Sequence, residues 1–477
     1  MRLKTLYLPY IFWAVPVWAF IQGPQYSFPS ALVWWAALLS GSACFITRRA
    51  VLVNIPLFAL LSPLAINGRI GTLIPSEIFV LCLGCYLSAR TLMQDNARLR
   101  LFKYDGLLLI LFFLVLVSYF FAYDFMAISK SLLSWLCIMV IFFTMRVMLN
   151  KWEDIEIFFD SLVFTSVLCG SLILAAFFSG MSLSSFMSGV SAEYYNADEL
   201  GWFFRASFFY ANISFIIGPS TLIALYRSWV ADSRVKKLVY LSLAIFFICG
   251  LLLMAEKTGL AALVLGIIAM GLVGVRSELA RGNSLFSASG LVVFSILGMS
   301  LLFIYGAISN FKNYSLDLYS LKERFCVFGS TINVFNDNAE RVLMGFGPDA
   351  SMLMSNKITD SAKTNCGGGV EGAIDSAYMS FIFDYGFVFG LLFLLFLGLS
   401  ISSVATVACR FAKQGARHVL VPLSGILVFI VAACISDVLG TGKVAWLVIG
   451  MLSIVGVADD FRRGALGGVL GARDSPR

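Results

Sequence analysis

Apolar runs of membrane-spanning length recur along almost the whole chain, and this recurrence limits the folds open to it. A helix needs about 20 mainly apolar residues to cross the hydrocarbon of a bilayer. Runs of that kind fall near 5–22, 30–46, 50–66, 72–89, 105–123, 128–147, 157–179, 205–227, 237–255, 258–275, 286–307, 376–401, 418–436 and 441–458. With no water in the bilayer to satisfy backbone groups, such runs must be helices. The expected fold is therefore an all-α polytopic membrane protein of about 14 transmembrane helices, forming one domain over 1–477. Pro56, Pro63 and Pro75 interrupt the third and fourth runs. Met1-Arg2-Leu3-Lys4 opens like a charged leader, but Pro9 and Pro16 and the lack of a small-residue cleavage site favour a first membrane helix.

Charge orients the array. If the N-terminus is inside, the inner connections hold Arg48-Arg49; Arg90, Arg98, Arg100 and Lys103; Arg146 and Lys151; Arg227, Arg234, Lys236 and Lys237; Arg276 and Arg281; Arg410, Lys413 and Arg417; and Arg462-Arg463. Outside the one long loop, the outer connections offer Arg69, Lys130, Arg205, Lys257 and Lys443. This is the asymmetry that the positive-inside rule predicts for a membrane protein with both termini on the cytoplasmic side. It also accounts for the net charge of +7 without a nucleic-acid partner, in a chain that is 60% hydrophobic and 13% charged. The tail 459–477 is Gly-rich from Gly464 and is expected to be disordered in the cytoplasm.

One interval breaks the apolar pattern. Residues 308–375, between the eleventh and twelfth runs, form a large polar loop on the outer, periplasmic side. Leu318, Leu321, Phe325, Phe328, Ile332 and Phe335 follow the three-four spacing of one helix face, so the loop is partly helical. That helix is expected to stop near Asn336-Asp337-Asn338, and Gly345-Phe346-Gly347-Pro348-Asp349 reads as a turn. Cys326 and Cys366 are the two cysteines of this interval; a disulfide and two free thiols both fit an oxidising compartment. Cys82 and Cys85 lie inside an apolar run and are expected as small buried hydrophobes rather than metal ligands.

Charges on the outer side are few and costly unless paired or wetted, which singles out Arg205, Glu256-Lys257, Arg324 and Arg341. Snorkelling to the interface is the bland alternative for each cation. Asp375 fits an N-cap of the twelfth span and also a water-facing carboxylate; Asp384 is expected about 13 Å further along that helix. His418 falls on the inner side. No Walker A motif, dinucleotide fingerprint or metal-ligand cluster is present, so no cofactor and no metal are expected.

Taken in order, these residues resemble the O-antigen ligase and Wzy-type polysaccharide polymerase superfamily of bacterial inner membranes, over the last two-thirds of the chain. Arg205 with Asn212 resembles the family's arginine-led span. Glu256-Lys257-Thr258-Gly259 is similar to its Ser-Arg-Gly turn, with Lys257 in place of Arg. Arg324 through Leu343-Met344-Gly345-Phe346-Gly347 resembles its arginine loop. Asp375-Ser376-Ala377-Tyr378 through Asp384-Tyr385-Gly386 and Gly390 resembles its His-led segment, with Asp375 in place of the His that the ligase branch is thought to use.

The resemblance implies a GT-C-like, metal-independent glycosyltransferase that takes a glycan from undecaprenyl diphosphate. It implies cation roles for Arg205 and Arg324, with Lys257 and Arg341 behind them, and a general base at Asp375. Gly345, Gly347 and Tyr378 would line the substrate site, with Glu256 and Asp384 in support. A flippase and a chain-length regulator are the implied partners, beside the lipid-linked oligosaccharide and the bilayer itself. The missing His favours the polymerase branch. A ligase acting on a lipid or protein acceptor, and a transporter of lipid-linked sugar, remain as alternatives.

Overall fold

The computed structural model describes residues 9–12, 14, 30–46, 49–61, 75–93, 105–121, 125–149, 152–179, 199–200, 203–204, 214–253, 257–279, 329–336, 338–348, 350, 358, 360, 377–410, 417–434 and 448–456. Where the described residues cover them, the apolar runs are helices, as their length requires. In chain order these are α1 (Ser30–Ile46), α2 (Ala50–Leu61), α3 (Pro75–Met93), α4 (Asp105–Ser118), α5 (Phe125–Met148), α6 (Trp152–Ser179), α7 (Ser214–Val230), α8 (Arg234–Leu253) and α9 (Lys257–Leu279). Within the long loop lies the short α10 (Arg341–Met344), and after it come α11 (Ala377–Tyr385), α12 (Phe387–Arg410) and α13 (Arg417–Ala433). Among the described residues, Arg234–Leu253, Gly259–Ser277 and Phe387–Ala408 are long and apolar enough to cross a membrane. The sole strands among them are β1 (Glu199–Leu200) and β2 (Phe203–Phe204), an antiparallel pair with Glu199 opposite Phe204.

Two of the interrupting prolines are accommodated. Pro75 stands at the first position of α3, where its missing N–H costs nothing. Pro56 sits within α2, as Pro219 and Pro422 do within α7 and α13. Apolar helices packed among neighbours tolerate such breaks.

Glycines set a close helix crossing. α9 and α13 meet at Gly266 and Gly425, where a methyl added to either would stand 2.9 or 2.7 Å from the other's carbonyl oxygen. Small residues let backbones approach this closely where no hydrophobic drive separates helix from lipid.

Three ion-paired clusters gather one end of the bundle. Arg49 reaches Asp154 at 2.8 Å and Glu153 at 3.3 Å. Arg146 pairs with Asp105 at 2.5 Å, their side chains 6 and 2% exposed, and Arg227 with Asp160 at 2.5 Å. The starts of α2, α4 and α6 therefore lie beside the ends of α5 and α7. His418, opening α13, lies by Tyr226 near the end of α7, their ring centroids 6.3 Å apart. These arginines and His418 all come from segments that the charge count places on one side.

The twelfth apolar run departs from expectation. It is not one helix over 376–401 but two, α11 and α12, broken at Gly386 with φ +91°. In a continuous helix Tyr378 and Phe393 would stand about 22 Å apart, yet their ring centroids are 6.2 Å apart. The chain folds back on itself at Gly386. This corner lies at the start of α12, away from the Arg410 end that leads to α13 and the ion-paired clusters.

Candidate functional site: a loop docked on a helix corner

The C-terminal end of α11 explains why the long polar loop settles where it does. The last carbonyls of a helix lack partners within it. Here Ile382 O accepts the N–H of Gly386 at 2.8 Å, Phe383 O accepts that of Phe346 at 2.9 Å, and Asp384 O accepts that of Gly347 at 2.9 Å. The loop thus caps the helix. The approach is close enough to demand glycine: a side chain on Gly345 (φ +74°) would collide with the Asp384 carbonyl, and one on Gly386 with that of Leu343. Such positive φ values also favour glycine by themselves.

Side chains reinforce the seam. Phe346 stacks on Phe383 with centroids 4.7 Å apart, and Phe335 completes the cluster at 5.3 and 5.5 Å from the two rings. Ala350 and Ile358 are buried against them, in a small core separate from that of the bundle. Aromatic pairs at such distances add about 0.5–1.5 kcal/mol each beyond the area they bury.

The helix over 329–336 ends where the Asn-Asp-Asn run begins, as expected. Of the expected face Phe335 is buried but Ile332 is 42% exposed, with Ser330 and Thr331 buried instead; Leu318, Leu321, Phe325 and Phe328 lie outside the described residues. The face is set by docking on Phe346 and Phe383, which apolar spacing alone does not specify.

Of the candidate residues, Gly345, Gly347 and Asp384 come together at the corner, with Arg341 four residues before Gly345 at the head of α10. Asp384 is 6% exposed. It stands at the end of α11 beside the reversal, not partway along a membrane-crossing helix. Tyr378 is at the other end of α11, its hydroxyl donating to Val431 O at 3.0 Å; its contacts are those of helix packing. Lys257 opens α9, four residues after α8 ends, which agrees with a tight connection there; its side chain is outside the described residues. Arg205, Glu256, Arg324, Asp375, Cys326 and Cys366 also lie outside them. Phe203 and Phe204, just before Arg205, belong to β2, and the described part of the eighth run is α7, from Ser214.

Cys82 and Cys85 are exposed on α3 rather than buried. Among the described residues no group of three His, Cys, Asp or Glu side chains could hold a metal ion.

Sequence reasoning passed over Trp135. Its indole N–H donates to the Tyr385 hydroxyl at 2.8 Å, both buried, and ties α5 to the last residue of α11. The available signal was a tryptophan in the middle of an apolar run, since a buried indole N–H needs an acceptor. No protein-family model matches the chain, and no curated protein matches it.

Proposed function

We propose that this chain polymerises undecaprenyl-diphosphate-linked oligosaccharide units at the periplasmic face of the bacterial inner membrane. The observation that carries the reading is the seam between Gly345-Phe346-Gly347 and Asp384-Tyr385-Gly386. These segments belong to two separate motifs of the resemblance, and their union is what a site assembled from both would require. The ion-paired clusters at the opposite end of the bundle support an orientation with that end in the cytoplasm and the loop in the periplasm.

In this reading an acceptor sugar hydroxyl attacks the anomeric carbon of the donor glycan. A new C–O bond forms as the bond to the diphosphate breaks, and the electron pair leaves with the diphosphate. Arg205 and Arg324, then Lys257 and Arg341, stabilise that developing charge. Asp375 takes the hydroxyl proton. Cleavage of the diphosphate linkage supplies the driving force. Polymerisation is favoured over ligation because Asp375 stands where the ligase pattern has His.

The test is genetic and topological together. Arg324→Ala and Arg205→Ala should each abolish long polymer while the protein stays in the membrane, and a reporter fused at the exposed Asn336 should report the periplasm. Normal-length polymer from both variants, or a cytosolic reporter, would overturn the reading.

A further inference from the structure

We propose that the start of α8 binds the headgroups of anionic phospholipids. Three cations stand in its first turn, Arg234, Lys236 and Lys237, and all are exposed. Among the described residues none of the three forms an ion pair. Asp232 is the one carboxylate between Ser228 and Tyr240, so three positive charges face one negative charge. Nearby Arg227 is already held by Asp160 and the face of Tyr240.

This placement works against the helix itself. Cations at a helix N-terminus oppose the macrodipole, so nothing local in α8 rewards three of them there. An external anion does.

The neighbouring surface identifies which kind. Val235, Leu238 and Val239 are 70, 65 and 51% exposed among the cations, and Leu241 and Ile245 continue the exposed apolar face along the helix. α8 is one of the helices long enough to cross a membrane and has the least buried span of them. The cations therefore ring the point where an exposed hydrocarbon-facing surface meets water, and their stems can lie along it. An acidic soluble partner would leave the apolar face uncovered. A phospholipid covers both, phosphate on the cations and acyl chains on Val235, Leu238 and Ile245. The inference does not depend on the reaction the protein catalyses.

Purified full-length protein in neutral detergent can be titrated with phosphatidylglycerol or phosphatidylcholine and bound lipid counted by native mass spectrometry. The parent should bind phosphatidylglycerol in preference. An Arg234→Gln/Lys236→Gln/Lys237→Gln variant should bind it roughly a hundredfold more weakly, about fivefold per cation lost near an anionic surface. Phosphatidylcholine binding should not change, and Lys236→Arg/Lys237→Arg should bind like the parent. Should the triple variant aggregate, Lys236→Gln/Lys237→Gln is expected to show roughly 25-fold weakening by the same rule. Equal phosphatidylglycerol binding by parent and Gln variants, or no preference between the two lipids, overturns the proposal. So does displacement of the lipid by inorganic phosphate, which would make this a free-phosphate site.

Discussion

The indole N–H of Trp135 donates to the phenolic oxygen of Tyr385 across 2.8 Å of buried space. One bond joins α5, in the first half of the chain, to the residue just before the Gly386 reversal. The rings meet edge to face at 5.8 Å, and Phe389 at the head of α12 closes on both, 6.0 Å from Trp135 and 4.9 Å from Tyr385. The corner that receives the long polar loop is thus anchored from beneath. Trp135→Phe should lower stability by about 1–2 kcal/mol, the range for losing a buried hydrogen bond partner. In a double-mutant cycle with Tyr385→Phe the two changes should be non-additive, with a coupling of about 1 kcal/mol. Thermal unfolding of the detergent-solubilised variants measures it.

Gly386→Ala should release the loop. Its positive φ costs a side-chain-bearing residue about 1–2 kcal/mol, and the new methyl also meets the Leu343 carbonyl. The expected result is faster proteolysis within 338–350 while the helices remain protected. Gly398→Ala, where an added methyl meets nothing within 4 Å, should leave the cleavage rate unchanged.

At the α9–α13 crossing, Gly425→Leu should prevent close approach, because even one methyl would stand 2.9 Å from Met270 Cβ and 2.7 Å from Gly266 O. Loss of the monodisperse peak in size-exclusion chromatography is the expected readout. Gly398→Leu should elute as the parent does.

Asp105→Asn should be severely destabilising. It leaves the Arg146 guanidinium, 6% exposed, without its carboxylate, and breaking a buried pair on one side costs about 3–5 kcal/mol. Asp105→Leu combined with Arg146→Met should recover most of that loss. The folded fraction after heating in detergent separates the two variants.

Much of the helical framework is written in hydropathy. α1 begins and ends where its apolar run does, at Ser30 and Ile46, and α9 starts at Lys257, four residues after α8 ends. The reversal at Gly386 was not legible. Apolar residues run unbroken from Tyr385 to Leu391 apart from glycine, so composition offers no interruption where the backbone turns. Nor could spacing reveal that Phe346 and Phe383 would claim one face of the 329–336 helix and leave Ile332 outside. Those choices depend on contacts between segments far apart in sequence. The turn at Gly345 and Gly347 was legible because two glycines beside a proline have few other uses.

The most direct measurement uses purified protein in detergent, where no compartments exist, with undecaprenyl-diphosphate-linked repeat units as sole substrate and the products resolved by electrophoresis. The account expects a ladder of lengthening glycan that disappears with Arg324→Ala and Arg205→Ala. Single repeats unchanged in the presence of folded parent protein, or a ladder that survives in both variants, would contradict it.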